Sequence, residues 1–193
     1  MSDFTVIRAV SLTLKALLED AITHTTHPEV PNVPIELGSP KELRGSDVVS
    51  LWLYRVSRNA ETLNDPPRRP APDRELFMRL PLDLHYLLTP INKDPATRHV
   101  LIGRILQAFN DQSIVRGAQL RDTLAGESDE LRVTLETLSL EELARIWTAL
   151  GDSYEPSITY LVTLAPIDSD REPVSSRRVL TKRTTYVQGV PTP

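Results

Sequence analysis

The chain has 193 residues with 22 Lys and Arg against 26 Asp and Glu, a formal charge of −4. At 40% hydrophobic and 25% charged residues it sits in the globular range, which excludes a wholly disordered chain and suits one domain or a domain with an arm. It contains no cysteine, excluding disulfides, thiolate metal sites and cysteine nucleophiles, and no apolar run approaches the roughly 20 residues a membrane-spanning helix needs. Met1-Ser2-Asp3 lacks the basic lead of a signal peptide, so the expectation is a soluble protein assembled in the cytoplasm.

In chain order, the segment from Asp3 to about Ile22 spaces Ile7, Val10, Leu14, Leu17, Leu18 and Ala21 three or four positions apart. That spacing predicts an amphipathic helix, capped by Ser2 or Asp3. Pro28, Pro31, Pro34 and Pro40 then lack amide donors and hold φ fixed, so this stretch reads as a connector with at most a short edge strand around Ile35. Asp47 to Val56 carries Val49, Leu51 and Leu53 on one face and Val48, Trp52, Tyr54 and Val56 on the other, as a strand covered on both sides would. Pro66 to Pro72, with Arg68 and Arg69, is stiff and cationic and is expected to be an exposed loop. Leu82, Leu84, Tyr86 and Leu88 alternate with Asp83, His85 and Leu87, predicting a second central strand ended by Pro90.

Asp94-Pro95 is a helix start, because aspartate accepts from orphan amides and proline at the first position loses no bond; the helix is expected to run to about Asp111. Leu131, Val133 and Leu135 form a half-buried strand pattern. Ser139-Leu140-Glu141-Glu142 is a capping box that opens a helix over 140–150, and Gly151 supplies its stop. Ile158, Tyr160, Val162 and Leu164 read as another strand, and Val179, Thr181 and Arg183 as a weaker one. With too few crossovers for a doubly wound sheet, the expected class is α+β: a mixed, mainly antiparallel sheet of about five strands packed with three helices. Residues 1–168 are expected to form the domain and 169–193 a basic C-terminal arm.

The chemistry in the sequence is sparse. His24 and His27 are too few for a metal site, which needs three or four ligands. Asp83 and His85 share a strand face, as the orienting half of a hydrolase triad does, but no serine stands in a glycine-flanked elbow; the bland reading is a local hydrogen-bond network. Glu141 and Glu142 diverge around their helix and read as capping groups; Trp52 and Trp147 sit in apolar patterns and read as core or interface. No cofactor site is found. Charge is divided unevenly: Arg171, Arg177, Arg178, Lys182 and Arg183 against Glu172 give 171–193 a net of +4, leaving −8 for the body. An acidic body disfavours nucleic acid, and the basic tail suits docking on an acidic surface, such as another copy of the body.

Four stretches carry a resemblance: Val49-Ser50-Leu51-Trp52-Leu53-Tyr54-Arg55-Val56 with Asn59 and Asn64-Asp65-Pro66-Pro67; Leu80 to Pro90; Leu101-Ile102-Gly103-Arg104; and Leu140 to Trp147. Over most of 3–168 the chain resembles the N-terminal domain of the cap, or tube-terminator, proteins of contractile injection systems. The resemblance implies a tail-terminator-like fold and a non-enzymatic part: a hexameric ring that ends the inner tube and anchors the top of the sheath, its partners being itself, the tube protein and the sheath protein. It implies no direct membrane insertion, in a particle that ends free, released or membrane-anchored. Arg68, Arg69, Arg177, Arg178, Lys182 and Arg183 are the expected contact residues, on the charge argument above. Two alternatives stay open: an adaptor recruiting an anionic partner through those cations, and a small hydrolase using Asp83 and His85.

Overall fold

A computed structural model describes residues 3–62, 74–75, 79–126, 129–163, 167–169, 174–175 and 184. Among these residues the fold is α+β, with three α-helices on a six-stranded sheet and a separate two-stranded ladder. The first helix, α1 (Val6–Leu18), buries Val10, Leu14, Leu17 and Leu18 of the expected stripe, with Val6 buried in place of Ile7, which is half-buried. Its start differs from expectation: Thr5 is the N-cap and makes no side-chain cap, while Asp3 instead accepts from the Thr5 amide at 2.8 Å. A π-helical turn, Glu19–Thr23, prolongs it, closed by the His24 amide on the Glu19 carbonyl at 2.8 Å.

The proline-rich connector yields one short strand, β1 (Ile35–Leu37), which pairs in parallel with β2 (Val48–Arg58). A two-residue strand, β3 (Arg74–Glu75), precedes β4 (Leu82–Ile91), and β4 pairs antiparallel with β2. Helix α2 (Pro95–Asp111) opens as expected, with the Asp94 carboxylate accepting from the Thr97 amide. Then come β5 (Ile114–Arg116), β6 (Glu130–Glu136), α3 (Leu140–Leu150), β7 (Ile158–Thr163) and β8 (Val174–Ser175). The large sheet runs β1-β2-β4-β7-β6-β5, antiparallel except at β1, and β3 pairs with β8. The sheet has one strand more than expected because three-residue β5 is too short to show a period.

Two strand expectations are corrected. Pro90 lies inside β4, opposite Val49. The Val49 amide points away from β4, to the Pro34 carbonyl, so the Val49–Pro90 pair is one that exchanges no ladder bonds. Proline's missing donor therefore faces the β7 side, where pairing has already stopped at Leu88–Ile158, and nothing is lost. The second concerns β2, which is covered on both faces only in its first half. Its register shifts between Leu53 and Arg55, leaving Tyr54 extra, and beyond that bulge Val56 is 47% exposed.

The main core lies between one sheet face and helices α1 and α2. Leu14 and Leu18 of α1 and Leu101, Ile105 and Phe109 of α2 meet Val49, Leu51, Tyr86, Leu88, Val133 and Tyr160. Phe109 and Tyr160 meet edge-on at 4.8 Å, and the Tyr86 phenol reaches Ser11 Oγ at 2.8 Å. Leu87 and Trp147 are buried outside that cluster, Trp147 lying beside Thr89 on the opposite face. Leu143, Ile146 and Leu150 flank Trp147 at helical spacing, so α3 shields that second face. Its capping box and its Gly151 stop are as expected, with one correction: Glu142 alone caps, whereas Glu141 pairs with Arg145 one turn on.

Candidate assembly surfaces

All six expected contact cations, Arg68, Arg69, Arg177, Arg178, Lys182 and Arg183, lie outside the described residues, as does the expected strand over 179–183. The β3–β8 ladder bears on them through its register. Arg74 pairs with Ser175, so the stretch that ends at Arg74 and the stretch that begins after Ser175 attach at the same end of the ladder.

On the α3 side of the sheet, Asp83 and His85 go separate ways. Asp83 accepts from Asn59 Nδ2 at 2.8 Å, and Asn59 Oδ1 in turn accepts from the Glu61 and Thr62 amides, holding the chain as it leaves β2. His85, 6% exposed, faces Glu136 through Nδ1 at 3.0 Å and Ser57 Oγ through Nε2 at 3.0 Å. A carboxylate only accepts, so Nδ1 carries a proton toward Glu136. Glu136 also accepts from the Tyr54 hydroxyl at 3.1 Å, and its backbone carbonyl accepts from Thr159 Oγ1. Burial first, and the Glu136 charge second, push the Tyr54 phenol well above its ordinary value of 10.

Acid, imidazole and hydroxyl stand here in triad order, supplied by Glu136 and Ser57 rather than by Asp83. Nothing in the sequence marks these partners, because they lie 28 and 51 positions from His85. Ser57 is paired inside the β2–β4 ladder, opposite Asp83, and not on the sharp strand-to-helix turn that thrusts a nucleophile forward. What the network does is tie together β2, β4, β6 and β7. The histidines of the connector are similarly local: His24 meets Asp20, and His27 Nδ1 accepts from the Glu29 amide. Among the described residues no three His, Asp or Glu side chains gather as metal ligands do, and no helix is long and apolar enough to cross a membrane.

Among the described residues, both edges of the large sheet are left open. At one edge β1 exposes Leu37 (44%), and at the other β5 exposes Ile114 (46%). β5 covers only the start of β6, pairing with Glu130, Leu131 and Arg132, after which the Val133 amide reaches the Ser113 carbonyl at 2.8 Å. Leu135 is beyond that cover and 50% exposed. Beside it runs a groove of about 550 Å³ lined by Leu106, Phe109, Asn110, Ser113, Leu135 and Tyr160.

The sequence profile of the Pvc16 N-terminal domain matches residues 9–181, nearly the whole chain. The chain belongs to the Pvc16 N-terminal domain family. Two solved structures share the fold of this family member. One is the sheath/tube terminator of PVC, an extracellular contractile injection system, in its extended state: TM-score 0.63 at 19% identity, over 95% of this chain and 64% of that one. The other is the anti-feeding prophage cap, a tube-terminating cap: TM-score 0.63 at 18% identity, over 92% of this chain and 60% of that one. The chain therefore spans under two thirds of the length of either. No curated protein matches it significantly.

Proposed function

We propose that this Pvc16 N-terminal domain acts as a structural cap in a contractile injection system: six copies close a ring on the last layer of the inner tube, stop its growth and help hold the top of the sheath. The observation carrying this reading is the fold shared with two terminators over more than nine tenths of the chain, within the matching family. On this reading it works by shape alone, without cofactor or turnover, assembled in the cytoplasm against tube and sheath proteins. The buried His85 network supports that, since its hydrogen bonds are spent holding strands together. A ring of six needs heterologous contacts, one surface of each copy meeting a different surface of the next, and open edges of unlike make supply such pairs.

The test is electron microscopy of particles assembled with and without the protein. Its absence should give tubes of uncontrolled length and unstable sheaths; tubes of normal length would overturn the reading. Light scattering in the presence of tube should find a species of about 130 kDa, six times the 21.7 kDa chain. A persistent monomer would favour the adaptor reading, with the cations at 68–69 and 177–183 as its contacts.

A further inference from the structure

We propose that the pocket between the end of β4 and the chain leaving α3 is a water site: two or three ordered waters fill it, and the innermost takes the hydrogen bond that the Thr89 hydroxyl makes to no protein group. The inference goes beyond the cap reading and does not rest on it.

Thr89 lies on the α3 side of the sheet, at the same parity along β4 as Leu87 and His85. It is 1% exposed, and among the described residues its Oγ1 is the one buried side-chain polar atom with no hydrogen-bond partner. Its neighbours are engaged elsewhere. Ser50, opposite it in β2, donates its hydroxyl to the Gly38 carbonyl at 2.6 Å. Beside it, the Trp147 indole N–H is given to Ser157 Oγ at 3.4 Å. A buried hydroxyl without a bond is costly enough that native proteins rarely keep one, and where no protein group reaches it the usual partner is a held water.

The pocket that Thr89 lines has the room and the chemistry. Its volume is about 80 Å³, and one molecule of liquid water occupies about 30 Å³. Helix α3 stops at Gly151, and the chain beyond it lines the pocket with Asp152 and Glu155. Each is pinned by an arginine from another element: Asp152 by Arg44, in the loop between β1 and β2, and Glu155 by Arg98 of α2 at 2.5 Å. Two guanidiniums and two carboxylates paired one to one cancel, so the lining favours a neutral guest over an ion. Each pair still has free capacity, since a guanidinium carries five N–H donors and a carboxylate about four acceptor sites. Waters lying between those pairs and Thr89 therefore find the two to four partners that hold a buried water in place. Threonine's hydroxyl and methyl exchange positions in one staggered step about χ1, so Oγ1 can face the pocket without the strand moving. Because Trp147 is the only residue of α3 that is fully buried, a water chain from Thr89 to Asp152 gives the α3 side a second fastening to β4.

The test is a crystal structure of the full chain at a resolution that shows waters, with urea unfolding of Thr89→Val alongside. The expected density is a water within about 3 Å of Thr89 Oγ1, bonded onward to the Arg44–Asp152 or the Arg98–Glu155 pair. A dry pocket, or a Thr89 hydroxyl bonded to a protein group, overturns the proposal. Thr89→Val keeps the shape and removes the hydroxyl. Where a water serves that hydroxyl, the variant takes a partner from it and the urea midpoint falls; where the hydroxyl is simply orphaned, its removal leaves the midpoint unchanged or raises it, which overturns the proposal. Thr89→Ser retains the hydroxyl, and its crystal structure should retain the inner water; loss of that water there would show that the hydroxyl is not its anchor and would equally end the proposal.

Discussion

Three tyrosines carry their phenols into the protein, and their ionisation is a measurable cost of opening it. Burial pushes Tyr160 up to about 12, and pushes Tyr54 and Tyr86 higher, from an ordinary value of 10. Since the folded state prefers the neutral phenol, the unfolded chain gives up its protons first. The stabilisation is thus whole below pH 10 and is lost as pH climbs through about 12. Phenolate absorbance should show these three rings neutral at about pH 11 until the fold opens, and Tyr160→Phe should flatten the fall in stability between about pH 10 and pH 12. All tyrosines ionising together near pH 10 without unfolding would contradict the burial. His85 belongs to the same scale: its imidazole was visible as a candidate from the sequence, but its working partners were not, because Ser57 and Glu136 reach it only once the four strands β2, β4, β7 and β6 are assembled in order.

At the scale of elements, α3 is the case where local chemistry decides everything. The Ser139 hydroxyl accepts from the Glu142 amide, the Glu142 carboxylate returns to the Ser139 amide, and Gly151 ends the helix at φ 66°. Ser139→Ala should cost about 1 kcal/mol and Gly151→Ala about 1–2 kcal/mol, the latter because a Cβ strains the left-handed backbone. Urea midpoints would check both, and a stabilising Gly151→Ala would refute the cap. The Glu142 carboxyl is held below its ordinary range by its bonds to Ser139, so the capping box keeps full strength above that range and weakens as pH falls through it. Such short-range signals are why α2, α3, β6 and β7 could be bounded from sequence within a residue or two. The bulge at Tyr54, the passage of β4 through Pro90 and the short β5 could not, since each depends on which strand stands alongside. The groove at Leu135 was invisible for the same reason: Leu135 has the alternation of a buried residue, and only the brevity of β5 uncovers it.

For the whole molecule, the prediction concerns charge separated along the chain. Residues 171–193 carry +4 and the remainder −8, so contacts made by that segment should fade with salt, screened over about 8–10 Å at ordinary ionic strength. Removing 171–193 should weaken association at low salt and leave the thermal transition of the body nearly in place. Sedimentation and calorimetry would test this together, and unchanged association at low salt would count against any role for the segment.

The two margins of the large sheet are not interchangeable. One is β1, in parallel pairing with β2, the other β5, in antiparallel pairing with β6. Subunits joined by unlike margins, β1 of one to β5 of the next, all point one way round, like links with a hook and an eye. A collar built so has a distinguishable front and back, and only one of them can be offered to the hollow shaft beneath.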